Sequence, residues 1–148
     1  MAFSNGTFLC FQKEITLKAQ EKGCHLINEE IWPHLPDLKP LKCGTAHFYI
    51  KHTTASLVVC ESWDEKVRAD MLMVMDKIVP EKWQYQHDVE GTDDMPGHAK
   101  CALMGSSVTV PITNGKLNLG QWQGLWLCEH RREADERKIV VTIQGCQY

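Results

Sequence analysis

The sequence lacks several features by which a function class is usually recognised. Its seven cysteines include no C-x-x-C pair, no apolar run approaches the ~20 residues that cross a bilayer, and no Gly-rich loop opens a helix as a phosphate cradle. It has no basic excess either, because 16 basic and 19 acidic residues leave a formal net charge of −3. These absences argue against a zinc ribbon and predict no membrane partner and no nucleic-acid partner.

A secretory signal is also missing from the first residues. Residues 1–6 show neither the basic segment nor the apolar segment of a signal peptide. We therefore expect a cytoplasmic protein whose seven cysteines are reduced and mostly buried.

Length and patterning predict a single α+β domain over residues 1–148. The chain is 43% hydrophobic and 24% charged, as in ordinary globular domains, and no repeat or linker divides it. Strand-like patterns occupy residues 7–17, 45–51, 55–61, 106–113, 116–119, 122–131 and 138–145. Helical spacing occupies residues 24–32, 63–79 and 99–104. The architecture predicted is a mainly antiparallel β-sandwich covered by two principal helices.

Two local signals support this assignment. In the helix predicted over residues 63–79, Ser62 and Glu65 form an S-x-x-E capping box and Pro80 ends the helix. Asn114-Gly115 is a strong hairpin turn signal between two strand patterns. The residues expected to form the buried stripe of the long helix are Val67, Met71, Val74, Met75 and Ile78.

Polar residues with catalytic or metal-binding chemistry are concentrated in three clusters. The first is residues 52–56, His-Thr-Thr-Ala-Ser, between two predicted strands. The second is in the irregular segment 80–98, which contains His87, Glu90, Asp93, Asp94 and His98. The third covers residues 120–131 and ends in Glu-His-Arg. Imidazoles and carboxylates are the usual ligands of zinc, and a carboxylate site with nearby cations can also hold a phosphate through magnesium.

Each cluster also has an ordinary structural interpretation. His52 can end a strand with its ring bonded to a neighbouring carbonyl group, and the acidic segment can be a solvated turn. Glu129 and Arg131 can form a surface ion pair on one face of a strand. Ser56 lacks the G-x-S-x-G context of a hydrolase nucleophile.

The three clusters together resemble the YjbQ family of small proteins, to which secondary thiamine-phosphate synthase activity is attributed in bacteria. The stretches that carry the resemblance are 52–56, 87–100, 120–124 and 129–131, and it extends over nearly the whole chain. It implies a homotrimer with helices over a β-sandwich. It also implies a polar pocket that contains His52, His87, His98, Asp93, Asp94, Glu129 and Arg131.

These residues lead to a specific functional hypothesis with open alternatives. We expect His52, His87 and His98 to bind one divalent metal, with zinc preferred and magnesium as the alternative for a phosphorylated substrate. The expected catalytic residues are Asp93, Asp94, Glu129 and Arg131, and the expected substrate or phosphate ligands are Lys100, Arg131, Thr53 and Ser56. The reaction would join a pyrimidine diphosphate to a thiazole phosphate and release pyrophosphate. A metal-dependent hydrolase and a binding module without turnover remain the alternatives.

Overall fold

Two antiparallel sheets form the framework of the protein in a computed structural model that describes residues 1 and 3–148. The larger sheet has the strand order β1-β8-β3-β5-β6 and the smaller one has the order β2-β7-β4. The strands are β1 (Phe8–Leu17), β2 (Gly23–Leu26), β3 (Leu41–Ile50), β4 (Ala55–Glu61), β5 (Ser107–Thr113), β6 (Lys116–Leu117), β7 (Gln123–Glu129) and β8 (Arg137–Gln147). The prediction of an α+β fold on a mainly antiparallel sheet is confirmed.

The hydrophobic core lies where the two sheets face each other. Buried residues alternate along β8 and the second half of β3, as expected for strands with one face against a core, whereas β7 is covered on both faces. The larger sheet contributes Ile15, Leu17, Ala46, Phe48, Ile50, Val110, Ile112, Ile139, Val141 and Ile143, and the smaller sheet contributes Ala55, Leu57, Leu125 and Leu127. The alternation of apolar and polar residues in the sequence therefore predicts correctly which face of these strands is buried.

The two longer helices lie on the other face of the smaller sheet, whereas the first helical turn packs into the core through Ile31. α1 (Asn28–Ile31) is a single turn followed by the 3-10 turn Trp32–His34, whereas α2 (Glu65–Ile78) and α3 (Asp94–Met104) are longer. α2 contacts β2, and α3 contacts β4. None of the helices in the described part of the chain has the length and the apolar character needed to cross a bilayer.

Three helix predictions need correction. The segment 24–32 is not one helix, because residues 23–26 pair with β7 and only one helical turn follows. The N-cap of α2 is Asp64, whose carboxylate accepts a hydrogen bond from Lys66 N, so the capping box at Ser62 is wrong. α3 begins at Asp94, before the expected residue 99, because Pro96 is tolerated in a first helical turn.

The expected buried stripe of α2 is also largely wrong. Of its five predicted members only Met75 is buried, and Val74 and Ile78 are exposed. The cause is that α2 rests on β2 at the margin of a sheet of three strands, which covers only a narrow line of its surface.

All seven cysteines are free thiols in the structure. Cys128 is buried, Cys10 is exposed, and the remaining five are partly buried. The expectation of unpaired thiols therefore agrees with the structure, whereas the expectation that most are buried is wrong.

A buried ion pair joins the two sheets. Arg137 at the start of β8 donates to both carboxylate oxygens of Glu129 at the end of β7, over 2.7 and 2.6 Å. The same guanidinium donates to the hydroxyl of Thr54, over 2.9 Å, just before β4. The side chain of Glu129 is fully buried, so this carboxylate is a structural group and its predicted catalytic role is not supported by its surroundings.

We predict that Glu129→Gln lowers the free energy of unfolding by about 3–5 kcal/mol, because it leaves the buried Arg137 charge without a counter-ion. Urea denaturation followed by circular dichroism measures this change. The matched control is Glu14→Gln, which removes an exposed carboxylate from Lys51 and should change stability little. Equal effects of the two substitutions would contradict a structural role for the buried pair.

Candidate metal site

The carboxylate of Asp94 is the centre of the candidate site. Asp94 is the first residue of α3, and its side chain is almost fully buried. Its Oδ2 atom lies 2.8 Å from Nε2 of His87 and 3.1 Å from Nε2 of His98. The ligand atoms of these three side chains all lie within 4.8 Å of one another. They form the one cluster of this kind found among the described residues.

α3 places His98 on the same side as Asp94. The two residues are four apart, so they are neighbours on one face of the helix. Nδ1 of His98 donates to the carbonyl oxygen of Thr53, 2.9 Å away in the turn between β3 and β4. Because a carbonyl oxygen only accepts, this contact places the proton on Nδ1 and leaves Nε2 of a neutral ring unprotonated toward Asp94.

His87 reaches the same carboxylate from the irregular segment between α2 and α3. Its ring centre is 5.4 Å from that of His98, and its side chain is 45% exposed. The site is therefore open to solvent on the His87 side and closed by α3 on the other. An entering ligand has access from one direction.

Arg131 supplies the positive charge that balances the buried carboxylate. Its Nη1 atom donates to Oδ1 of Asp94 over 2.5 Å, and Nη2 donates to the carbonyl oxygen of Glu90 over 2.7 Å. Burial by itself would raise the pKa of Asp94. The hydrogen bond from His87 and the charge of Arg131 are among the interactions that outweigh burial and hold this pKa below its usual range.

Asp93 organises the loop beside the site. Its Oδ2 atom accepts a hydrogen bond from the backbone N–H of Arg132 over 2.8 Å, and Oδ1 lies 3.3 Å from Nε of Arg131. Burial opposes ionisation, but that backbone hydrogen bond and the charges of Arg131 and Arg132 keep the pKa of Asp93 below its usual range. Asp93 thus positions Arg131 and has no contact with the two histidines.

The chemistry of the donors fits a divalent metal. An unprotonated Nε2 facing a carboxylate oxygen at 3.1 Å places two acceptors against each other, and a cation between them turns repulsion into ligation. A backbone carbonyl that holds the other ring nitrogen is the usual support of a metal-bound histidine. Two histidines and one carboxylate are also the protein ligands of open catalytic metal sites.

His52 is the histidine that the structure places elsewhere. Its Nε2 atom accepts a hydrogen bond from the backbone N–H of Lys138 over 2.8 Å, and it is not part of the cluster around Asp94. The predicted set of three histidines is therefore corrected to His87, Asp94 and His98. The sequence contained a signal for Asp94, since D-x-x-x-H places both groups on one face if residue 94 is helical, but that segment was interpreted as irregular.

The residues predicted to bind substrate have different surroundings. Lys100 is buried and its Nζ atom donates to Asp76 over 2.5 Å, so its charge is already compensated. Ser56 is fully buried, with Oγ 2.8 Å from Nε2 of His130. Both side chains are buried and bonded to protein groups, so these surroundings do not support a phosphate-binding role for either residue. Thr53 is exposed beside the cluster, and the role that sequence reasoning missed is that its carbonyl group orients His98.

The fold and this cluster define a small α+β protein with a candidate metal site of two histidines and one carboxylate. The family model for UPF0047 protein YjbQ-like proteins matches residues 13–146, so the chain belongs to the YjbQ family. UPF0047 protein YjbQ of Salmonella typhimurium is 46% identical over 135 residues, covering 91% of this chain and 98% of that protein. UPF0047 protein sll1880 of Synechocystis is 36% identical over 98% of this chain and 99% of that protein.

Solved structures share the architecture. A protein of the YjbQ/UPF0047 family from Clostridium acetobutylicum superposes with a TM-score of 0.77 at 35% identity and covers 88% of this chain and 98% of that one. A protein of unknown function from Sulfolobus solfataricus has a TM-score of 0.83 at 21% identity, covering 94% and 99%. At 21% identity, the similarity to the Sulfolobus protein shows a shared fold only.

One buried histidine next to the site has a structural role. His130 follows β7, and its ring lies against Ser56. Burial and the positive charges of Lys100, Arg137 and Lys22 lower the pKa of His130 to about 3. The neutral ring is therefore part of the folded state, whereas the unfolded chain takes up a proton near pH 6.5.

We predict that His130 makes the protein sensitive to mild acid. Its contribution to stability is complete above about pH 6.5 and falls by up to roughly 1.4 kcal/mol per pH unit as the pH decreases toward 3, because only the unfolded state binds the proton. Urea midpoints measured between about pH 7 and 5, where most carboxylates stay ionised, test this slope. His130→Gln should flatten it, whereas His34→Gln at an exposed ring should not. An unchanged slope in His130→Gln would contradict the assignment.

Proposed function

We propose that His87, Asp94 and His98 bind one divalent metal, with zinc preferred. The observation that carries this proposal is the hydrogen bond from Nδ1 of His98 to the carbonyl oxygen of Thr53, because it directs an unprotonated Nε2 at the carboxylate. Arg131 leaves one oxygen of Asp94 free for this purpose, since it occupies Oδ1 alone. Magnesium is less suited to a site with two imidazole ligands than zinc is.

We predict that His98→Ala and Asp94→Asn each weaken zinc binding at least about tenfold. Titration calorimetry with zinc alone measures the affinity, and circular dichroism checks that the variants are folded. His52→Ala is the matched control, because Nε2 of His52 is already engaged by Lys138 N and its removal should leave zinc affinity unchanged. Loss of binding in His52→Ala, with binding retained in Asp94→Asn, would favour the set of three histidines instead.

The proposed activity of the site is the thiamine-phosphate-synthase-like transfer of a pyrimidine group to a thiazole phosphate. Two grooves beside the cluster support it. A groove of about 570 Å³ lies beside His98 and is lined by Lys51, His52, Thr53 and Ser106, among others. A second groove of about 290 Å³ lies beside His87 and contains Trp83 and Tyr85. Aromatic rings of this kind stack on heterocycles, and lysine is a common phosphate ligand.

The residues of the chain would divide the work between binding and charge compensation. Trp83 and Tyr85 would orient the pyrimidine ring. Lys51, whose ion pair with Glu14 is exposed and exchangeable, would bind phosphate oxygens together with the Thr53 hydroxyl. Arg131 would hold Asp94 ionised rather than bind substrate, because its donors are directed at Asp94, Glu90 and Asp93. A metal held by the cluster supplies charge neutralisation for the departing pyrophosphate.

We predict that the purified zinc-loaded protein releases pyrophosphate from a pyrimidine diphosphate when thiazole phosphate is supplied. Trp83→Ala should raise KM roughly three- to tenfold with little change in kcat, because a stacking contact contributes equally to substrate and transition-state binding. Trp63→Ala at another exposed tryptophan is the control and should change neither constant. Absence of pyrophosphate release from metal-loaded protein would contradict the proposed activity.

A binding module without turnover is the second candidate function, and a specific observation favours it. Glu129, Asp93, Lys100 and Ser56 are all engaged by neighbouring protein groups, so few unpaired polar groups remain for acid-base catalysis. In that case zinc affinity and ligand binding persist while product formation is absent. A metal-dependent hydrolase would release phosphate from the pyrimidine substrate without the thiazole acceptor.

A homotrimer is part of the proposal as well. β1 is an edge strand of the larger sheet, and Phe8 and Leu9 on it are 59% and 41% exposed. Unpaired edges with apolar side chains are commonly covered by a symmetric partner.

We predict a light-scattering mass of three chains, and a monomer at all concentrations would contradict the assembly. The cytoplasmic location stays a prediction.

A further inference from the structure

Two pairs of cysteines face each other directly across neighbouring strands. Cys24 of β2 lies opposite Cys128 of β7, and Cys43 of β3 lies opposite Cys146 of β8. All four side chains are free thiols. None of them belongs to the candidate metal site, and the register between β3 and β8 shifts next to the Cys43–Cys146 pair.

The Cys24–Cys128 pair lies at a position of the β2–β7 pairing where the opposed Cα atoms are close together. Ile27 N donates to Leu125 O over 3.0 Å, so these two residues form a hydrogen-bonded pair. Hydrogen-bonded and non-hydrogen-bonded pairs alternate along an antiparallel ladder. Cys24 and Cys128 lie three positions before this pair, so they form a non-hydrogen-bonded pair. Opposed Cα atoms in such a pair are about 4.5 Å apart, within the range of about 4.4–6.8 Å that a disulfide spans.

The surroundings of Cys24 are accessible, and cations outnumber carboxylates among the residues that line them. Cys24 is partly buried and lines a groove of about 550 Å³ between β2 and α2, together with Lys22, Arg68 and Leu72. Nη1 of Arg68 is buried there and has no hydrogen-bond partner in the part of the chain that the structure describes. Cys128, in contrast, is 1% exposed.

The two thiols also differ in acidity, and the more accessible one, Cys24, is the more acidic. The hydrogen bond from Cys128 lowers the pKa of Cys24, burial opposes this effect, and the charges of Arg68 and Lys100 add to the lowering. The same contact and burial raise the pKa of Cys128. Cys24 is therefore the thiol that ionises and meets solvent, and Cys128 is the neutral thiol behind it.

We propose that Cys24 is a hydroperoxide-sensitive thiol that forms a disulfide with Cys128. The groove admits a small peroxide to the Cys24 sulfur, and the opposed position of Cys128 brings the second sulfur within reach without rearrangement of the sheet. The bond ties the short strand β2 to β7 immediately before Glu129, the residue of the buried ion pair.

The reaction balances with hydrogen peroxide as the oxidant. The Cys24 thiolate attacks one peroxide oxygen, the S–O bond forms, the O–O bond breaks, and the departing hydroxide takes up a proton to leave as water. The Cys128 sulfur then attacks the Cys24 sulfur, the S–S bond forms, and the S–O bond breaks. The thiol proton of Cys128 leaves with the second hydroxide as water. In total, two thiols and one peroxide give one disulfide and two water molecules.

Tryptic mapping identifies the bond without ambiguity. Cleavage after lysine and arginine places each of the seven cysteines in a different peptide, with Cys24 in residues 23–42 and Cys128 in residues 117–131. The reduced full-length protein is treated with about one equivalent of hydrogen peroxide and then alkylated under denaturing conditions. We expect an intact mass lower by two hydrogens before alkylation and, after digestion, a linked peptide that joins 23–42 to 117–131 and disappears on reduction.

Variants separate this pair from the other cysteines. Cys43→Ser/Cys146→Ser should still form the linked peptide at the wild-type rate, whereas Cys128→Ser should stop at the sulfenic acid of Cys24, which dimedone traps. Arg68→Met should slow Cys24 oxidation severalfold, and Arg68→Lys should restore most of the rate. A Cys43–Cys146 link formed first, or Cys24 oxidised no faster than the exposed Cys10, would overturn the proposal.

Discussion

The buried ion pair between Glu129 and Arg137 is the interaction on which the rest of the structure depends. It joins the end of β7 to the start of β8, and so connects the two sheets at one point. Its guanidinium also holds Thr54, so the turn before β4 is tied to the same point. From this junction Thr53 reaches His98 and the chain after Glu129 carries Arg131 to Asp94. The geometry of the candidate site therefore follows from a contact outside it.

Asp94 is the second constraint, because a buried carboxylate is stable only when its charge is compensated. Arg131 compensates it from one side, and two imidazoles face it from the other. The arrangement holds the histidine nitrogens close together before any ligand is present, which is the preorganisation that a metal site requires. Asp93 contributes indirectly, since it holds the loop that presents Arg131.

Local patterns predicted much of the framework and less of the site. The strand 55–61 and the Asn114-Gly115 turn agree with the structure, and Asn114 and Gly115 both have positive φ, as the turn requires. Residues 24–32 were misinterpreted because pairing with β7 outweighs the helical spacing of a short segment. The structure brings His87 and His98 together with Asp94, whereas the ring of His52 accepts a hydrogen bond from Lys138 N, because sequence proximity to a motif says nothing about which atom a ring contacts.

What the sequence by itself determined is the class of the fold and the family. Alternation along the strands, turn residues and the order of three polar clusters depend on local chemistry, which a linear pattern records. Only the tertiary structure decided which polar groups are structural and which are available. Lys100 and Glu129 look like functional residues in the sequence, yet the fold pairs Lys100 with Asp76, 24 residues away in sequence, and Glu129 with Arg137, across the connection between two strands. Burial and pairing are properties of three-dimensional neighbours, and the same residue types serve catalysis and charge compensation alike.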